Sequence, residues 1–423
     1  MDNHALLDSM RADWNQRAAD DANYFVAFGR RQQPDDEFFS TADGTVQQLL
    51  PELKRFAGRE AALEIGCGPG RLMRPLSRQF HEIHGVDVSD EMIRLAHERL
   101  SHTPNAFPQV CAGADLAMFP TAKFDFVYSY AVFQHIPSRD VVFSYLRDAF
   151  RVLKPGGIVR CQLNGLPPHA RQYDTWSGVR ITPDEIAAFV ASTGFQLLAL
   201  EQIWTQYMWI TLRKPAPEPA TPARTARLRN ISNALTGEAV TPAAGAMAAL
   251  ALWFERLPAS CHLLNTAVTA DGRPCRLSYI GPPAADGVSQ VNAVLPEKIR
   301  TGLVMVEASH DGAPLCAPGW VRIMPAGPAV PRITGISDGV NLLSGNRIYS
   351  GTVKVTMEEV ARGDDFRAAV DSTWTVPESF CTDPVGQRWE FNFNIPAGMA
   401  PGPHHVSLAI GRRAFPPIPI EVV

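Results

Sequence analysis

Between residues 60 and 214 short apolar, β-branched runs alternate with segments of helical period; beyond residue 225 the helical period fades, and short alternating strands between Gly- and Pro-rich turns take over. The runs AALEIG (61–66), EIHGVDV (82–88), FPQVCAGA (107–114), FDFVYSY (124–130), GGIVRCQLN (156–164), FQLLALEQIW (195–204) and YMWITLRK (207–214) read as strands. Helix starts are marked by capping side chains: Ser89 before DEMIRLAHERL, Ser138 before RDVVFSYLRDAFRVL and Thr182 before PDEIAAFVASTG. The last start is the most complete. Thr182 with Glu185 makes a capping box, Pro183 takes the first helical position, and Gly194 supplies the left-handed stop. Such alternation predicts a parallel sheet covered on both faces. The sixth and seventh runs have almost no connection, so they must pair as an antiparallel hairpin.

The stretch KPAPEPATPARTARLR (214–229) changes the texture to proline, alanine and arginine, as expected of an extended linker, here placed at 215–224. It closes a first domain at 1–214. Beyond it QVNAVLPEKIRTGLVMVEASHDG (290–312) aligns with EFNFNIPAGMAPGPHHVSLAIGR (390–412), matching Asn292 to Asn392, Pro296 to Pro396 and Gly302 to Gly402. A period near 100 residues in all-β sequence predicts two tandem β-sandwiches, 225–328 and 329–423.

Composition narrows the function classes. A formal net charge of -4 over 423 residues leaves no electrostatic footprint for a nucleic-acid partner. The N-terminal MDNHALLDSMRAD lacks a basic-then-apolar leader pattern, and the longest apolar stretch, AAGAMAALALWF, is too short for a membrane span. The expectation is a cytoplasmic protein without a membrane partner. Seven scattered cysteines without a CxxC pair suggest neither a disulfide framework nor a metal site.

Chemistry concentrates in ALEIGCGPGRL (62–72). A strand that ends in Gly66-Cys67-Gly68-Pro69-Gly70 and opens a helix brings bare amides against a ligand. The GxGxG spacing differs from the GxGxxG of dinucleotide enzymes. Asp87, ending the second strand, is placed to hold two ribose hydroxyls. Asp115, beside Leu116 after the third strand, can accept an adenine amino group. LKPGG (153–157) makes a tight turn into the fifth strand.

In order and at matching intervals, LEIGCGPG, GVDVSDEM, GADL, FDFVYSYAVFQHIP and LKPGG resemble the class I S-adenosylmethionine-dependent methyltransferases of small-molecule type, over about 60–214. The resemblance implies an α/β Rossmann-like domain with a seven-stranded sheet whose last strand is antiparallel, and S-adenosyl-L-methionine as cofactor. Glu64 and the loop of Gly66, Cys67, Gly68 and Gly70 would surround its methionine end. Asp87 would hold the ribose, Val88 and Met92 would flank the adenine, and Asp115 with Leu116 would read its edge.

The acceptor is implied to be a small or medium-sized molecule, with O, S or N as the accepting atom left open. No NPPY-like motif follows the fourth strand, which argues against base methylation. His135 suits a general base and equally suits packing at the next helix. Tyr130, near the strand end, suits a catalytic ligand contact, whereas Tyr128 suits the core. Residues 11–25 form a helix with Leu7, Met10, Trp14 and Ala18 on one stripe, which in this family often lies over the cofactor as a lid. Tyr24 at its end can reach a substrate. Trp176 suits a substrate wall or a loop anchor, and Gln206 joins it if the sixth-to-seventh turn lies on the same edge.

The C-terminal repeats resemble immunoglobulin-like modules of the IPT/TIG type, so the full fold expected is the α/β domain followed by two all-β immunoglobulin-like sandwich domains. Such modules suit homo-oligomer assembly or substrate placement. A second reading makes the first domain a non-catalytic scaffold, with the modules binding a glycan or protein.

Overall fold

The computed structural model describes residues 3–27, 31–49, 53, 58–168, 173–217, 226–339, 345–383 and 386–423; most of the expected linker, 218–224, lies outside the described residues. Seven strands, β1 (Ala61–Ile65), β2 (Glu82–Asp87), β3 (Ala106–Val110), β4 (Phe124–Ser129), β5 (Leu153–Leu163), β6 (Gln196–Glu201) and β7 (Met208–Arg213), stand in the order β3-β2-β1-β4-β5-β7-β6. The first five run parallel. Strand β7 inserts antiparallel between β5 and β6, forming the hairpin expected from the short connection. All five residues of β1 are buried, because helices cover both faces and erase the polar half of the alternation. Side chains of β4 divide accordingly: Val127 joins the core on one face, Phe126 and Tyr128 the core on the other.

Seven helices fall among the described residues: α1 (Asn3–Ala27), α2 (Asp35–Ser40), α3 (Ala42–Leu49), α4 (Met73–Leu76), α5 (Asp90–Arg99), α6 (Arg139–Val152) and α7 (Pro183–Thr193). Helix α1 bends at Asp21, where φ is −166° and ψ 86°. The side chains of Ser89 and Ser138 cap α5 and α6, and α7 carries the full capping box with Gly194 at φ 79°. The LKPGG segment departs from expectation. It is a bulge within β5, not a turn before it: Leu153 already pairs with Phe124, and the register shifts before Phe126. Lys154 Nζ, 3.0 Å from Asp125 Oδ1, holds the bulge against β4.

The C-terminal half is β-rich and repeats its own plan. In the first unit the strands Arg227–Asn233, Ala249–Glu255, Val288–Val294 and Arg273–Ile280 form one layer; Thr266–Ala270, Gly302–His310, Gly319–Met324 and Val240–Pro242 form the other. In the second unit Arg332–Asp338, Thr352–Glu358, Arg388–Asn394 and Glu378–Asp383 take the first layer's places. The pairs Val288–Val294 with Arg388–Asn394, and Gly302–His310 with Gly402–Ile410, stand at the offset read in the sequence. Each unit has its own core, around Phe254 and Val291 in one and Phe391 and Val355 in the other.

The first unit is joined to the α/β sheet edge to edge. Tyr279 pairs antiparallel with Ala199 of β6, and Leu263 N donates to Leu197 O at 2.8 Å. Arg213 adds a bond from its guanidinium to Ala259 O. Edge strand β6 is thereby covered instead of left open. Among the described residues no helix is long and apolar enough to cross a membrane.

Candidate functional site

The carboxyl ends of β1, β2 and β4 open into a cavity roofed by α1. Gly66 ends β1, and its amide donates to Val86 O at 2.7 Å. Its φ of 74° is left-handed, and a Cβ there would lie 2.4 Å from Val132 Cγ2, so only glycine fits the turn. One strand over, Asp87 Oδ2 accepts from Gly68 N and Oδ1 from Ser89 N, both at 2.9 Å. These amides aim the carboxylate at the cavity and favour its charge. Burial opposes them and wins, raising its pKa above the ordinary carboxylate value.

The lid is strapped down by polar contacts. Arg11 Nε donates to Val88 O at 3.2 Å, and Arg11 Nη2 to Cys111 O at 3.3 Å, tying α1 to the ends of β2 and β3. Asn15 Oδ1 accepts from Ser89 Oγ at 2.7 Å, and Ser89 Oγ accepts in turn from Met92 N. Arg17 Nη1 reaches Thr175 O at 3.1 Å on the far rim. Between these straps α1 sends Met10, Trp14, Phe25 and Val26 into the cavity.

His135 closes the other side, on a 3₁₀ turn, Phe133–His135. Its Nδ1 stands 3.2 Å from Trp176 O, and its ring meets Trp14 edge-on, with centroids 5.5 Å apart. Burial, with the Arg17 charge adding to it, pushes the imidazole down to about 4, so it is neutral at ordinary pH.

Residues 63–161 match the family model described as a methyltransferase domain. The chain carries an S-adenosylmethionine-dependent methyltransferase domain, fused to β-rich domains. Similar curated proteins are phosphoethanolamine N-methyltransferase 2 of Caenorhabditis elegans, 28% identical over 40% of this chain and 41% of its own length, and trans-aconitate 2-methyltransferase of Agrobacterium fabrum, 34% identical over 27% and 44%. The chain thus spans less than half the length of these relatives. Among solved structures, phosphoethanolamine N-methyltransferase 1 of Haemonchus contortus, in complex with phosphoethanolamine and S-adenosylhomocysteine, is 17% identical with a TM-score of 0.37, covering 52% of each chain.

The residues of the methyltransferase domain fit S-adenosylmethionine by their donor chemistry. A carboxylate aimed by two amides suits vicinal hydroxyls, the bare turn at Gly66 and Gly68 suits close approach, and Val88, Met92, Ile136 and Val132 offer apolar walls for a flat ring. Of the residues expected from the sequence, Gly66, Gly68, Asp87, Val88, Met92, Tyr130 and His135 all line this cavity.

Others stand elsewhere, each for a definite reason. Glu64 lies beneath the site, accepting from Tyr128 Oη at 2.9 Å, with burial pushing it up to about 8. Cys67 packs against Gly85 within the core, and Gly70, at φ 85°, makes room for Leu100, whose Cδ1 would lie 2.6 Å from a Cβ. Asp115 turns back to accept from Ala117 N at 3.1 Å, and Leu116 is fully buried, its amide held by Asp148 Oδ2 at 2.7 Å. Cys111, Gly113 and Tyr145 form that wall in their place. Tyr24 points away toward Tyr349 of the second β-rich unit, with ring centroids 5.8 Å apart. Trp176 backs the cavity, 6.2 Å from His135 and 6.3 Å from Phe25. Gln206 is buried in the β6–β7 turn; that turn does lie on the site's edge, since β6 and β5 are both antiparallel to β7.

Phe25, Val26, Gly113, Val132 and Tyr145 were not singled out from the sequence. Gly113 had a readable signal, a glycine just past a strand end. Tyr145 had none, because it reaches the cavity from the helix face of α6 that otherwise reads as core.

Proposed function

We propose that the protein transfers the methyl group of S-adenosylmethionine to a small or medium-sized molecule, and that the two β-rich domains, read as immunoglobulin-like, serve to place that acceptor. The observation that carries this reading is the meeting of Asp87 and His135 on one cavity beneath α1. When bound, the cofactor supplies an electrophilic methyl group on a sulfonium. Asp87, Gly66 and Gly68 would hold its nucleoside and amino-acid parts, and Val88 and Met92 its flat ring.

The chain's own contribution is alignment, exclusion of water and removal of a proton. Trp14, Met10, Phe25 and Val26 dry the cavity from above. A carbonyl oxygen can only accept, so the His135–Trp176 bond requires a hydrogen on Nδ1. That leaves the lone pair on Nε2, ready to take a proton from an acceptor O–H, N–H or S–H. Similar proteins include a phosphoethanolamine N-methyltransferase and a malonyl-[acyl-carrier protein] O-methyltransferase, which leaves the accepting atom open. A coupled S-adenosylhomocysteine-release assay over thiols, phenols, sugars, amines and carboxylates tests the proposal. Turnover with at least one class, abolished in Asp87→Asn, is the expected result; release with none of them contradicts it.

A further inference from the structure

We infer that the cleft between the methyltransferase domain and the two β-rich domains is the acceptor site, and that its acceptor is a polyhydroxylated molecule of the saccharide class. This rests on the methyltransferase reading and goes beyond it. The cleft is the larger of the two spaces, exceeding the cavity under α1 several-fold, and so suits a ligand larger than a nucleoside. All three domains build it: Arg160, Gln162 and Trp209 from the α/β sheet, Ser278 and Asn292 from the first β-rich unit, Arg388 from the second.

Tyr130 lines both the cleft and the cavity that holds Asp87 and His135, so it stands where the two spaces meet. Beside it Ala131 N donates to Gln162 Oε1 at 3.1 Å, which links the cavity wall to the cleft floor. A molecule seated in the cleft therefore presents one end past Tyr130 to the reacting centre.

The chemistry of the lining selects the class. The arginines have carboxylate neighbours: Arg160 has Glu201 at 3.0 Å, Arg276 has Asp383 at 3.9 Å, and Arg388 has Glu358 at 3.0 Å, a carboxylate it shares with Arg332. A formal anion would have to compete with these partners. What the cleft offers beyond those pairs is neutral donors and acceptors, Gln202, Ser278 and Asn292, with rings at Tyr130 and Tyr207, while Trp209 is buried beneath the Arg160 guanidinium, 4.6 Å from its ring centroid. Gln290 Nε2 donates to Asn292 Oδ1 at 2.8 Å, which fixes that amide with its NH₂ as the donating group. Hydroxyls paired with amides and charged forks, and C–H faces laid on aromatic rings, are what a sugar requires.

The test uses the full chain with S-adenosylhomocysteine present. Saturation-transfer NMR is recorded with maltotriose, mannotriose and a rhamnose trisaccharide, and with citrate and glucose 6-phosphate as anionic comparators. A neutral trisaccharide is expected to bind, and Ser278→Ala/Asn292→Ala to weaken it about tenfold or more. The same double variant should keep its calorimetric affinity for S-adenosylmethionine, which also shows that it is folded. Binding of no trisaccharide, binding of the anions alone, or binding indifferent to the double substitution overturns the inference. Failure of the unsubstituted chain to bind S-adenosylmethionine overturns instead the methyltransferase reading beneath it.

Discussion

His135 Nδ1 lies 3.2 Å from the carbonyl oxygen of Trp176, a bond that fixes the imidazole as the tautomer with its free lone pair on Nε2. Because burial holds the group down to about 4, that lone pair is available across the physiological range and is lost only in acid. The kcat–pH profile with a proton-bearing acceptor should therefore show its acid limb near pH 4, well below the ordinary histidine value. His135→Ala should lower kcat by about 10²–10⁴-fold, the usual reach of general-base catalysis, with the Kd for S-adenosylmethionine unchanged. Normal turnover of His135→Ala at every pH would remove the base assignment.

Glu64 makes the stability of the chain depend on pH in the opposite sense from most carboxylates. Its folded-state pKa is pushed up to about 8 by burial, above its unfolded value near 4.5. Between these values the folded chain keeps a proton that the unfolded chain releases, so stability is full below about pH 4.5 and drains away as pH rises through 8. The cost at high pH is on the order of 5 kcal/mol. Glu64→Gln keeps an acceptor for Tyr128 and cannot ionise. Its thermal midpoint should match the native chain near pH 5 and exceed it by several degrees at pH 8.5.

The straps on α1 predict how the roof behaves. Arg11→Ala removes both bonds to the ends of β2 and β3 without removing any side chain that lines the cavity. Two charged hydrogen bonds together hold about 2–4 kcal/mol when part-buried. Stopped-flow fluorescence of Trp14 and its neighbours should show faster release of S-adenosylhomocysteine, by about tenfold or more, with a smaller change in its rate of entry. Unaltered release would mean that the bonds of Asn15 and Arg17 and the apolar contacts of Met10 and Trp14 hold the lid without Arg11.

Where local chemistry decides the structure, the sequence was readable. Helix α7 carries its start, first turn and stop in its own residues, and the structure follows them. The hairpin of β6 and β7 followed from a connection too short for a crossover. The bulge at LKPGG was not readable, because it depends on Leu153 pairing with Phe124 on another strand and on Lys154 finding Asp125. Helices α2 and α3 were likewise missed, being short and held by burial of Phe38, Phe39 and Leu49 more than by a long amphipathic repeat.

The candidate site divides in the same way. Gly66, Gly68 and Asp87 are legible because strand ends and tight turns restrict which residues fit. Asp115 and Tyr24 show the limit. Both have chemistry suited to a ligand, yet Asp115 finds a nearer partner in Ala117 N, and Tyr24 finds Tyr349 some 300 positions along the chain. The first is a local turn bond, which the residue types do not by themselves announce; the second is tertiary and leaves no local mark.

Calorimetric titration of S-adenosylmethionine into the full chain, with Asp87→Asn alongside, tests most directly that the nucleoside lies at the carboxyl ends of β1 and β2. One saturable site per chain, weakened about tenfold or more in Asp87→Asn as a charged hydrogen-bond acceptor is lost, is the expected result. No heat of binding, or equal affinity in the two proteins, would contradict it.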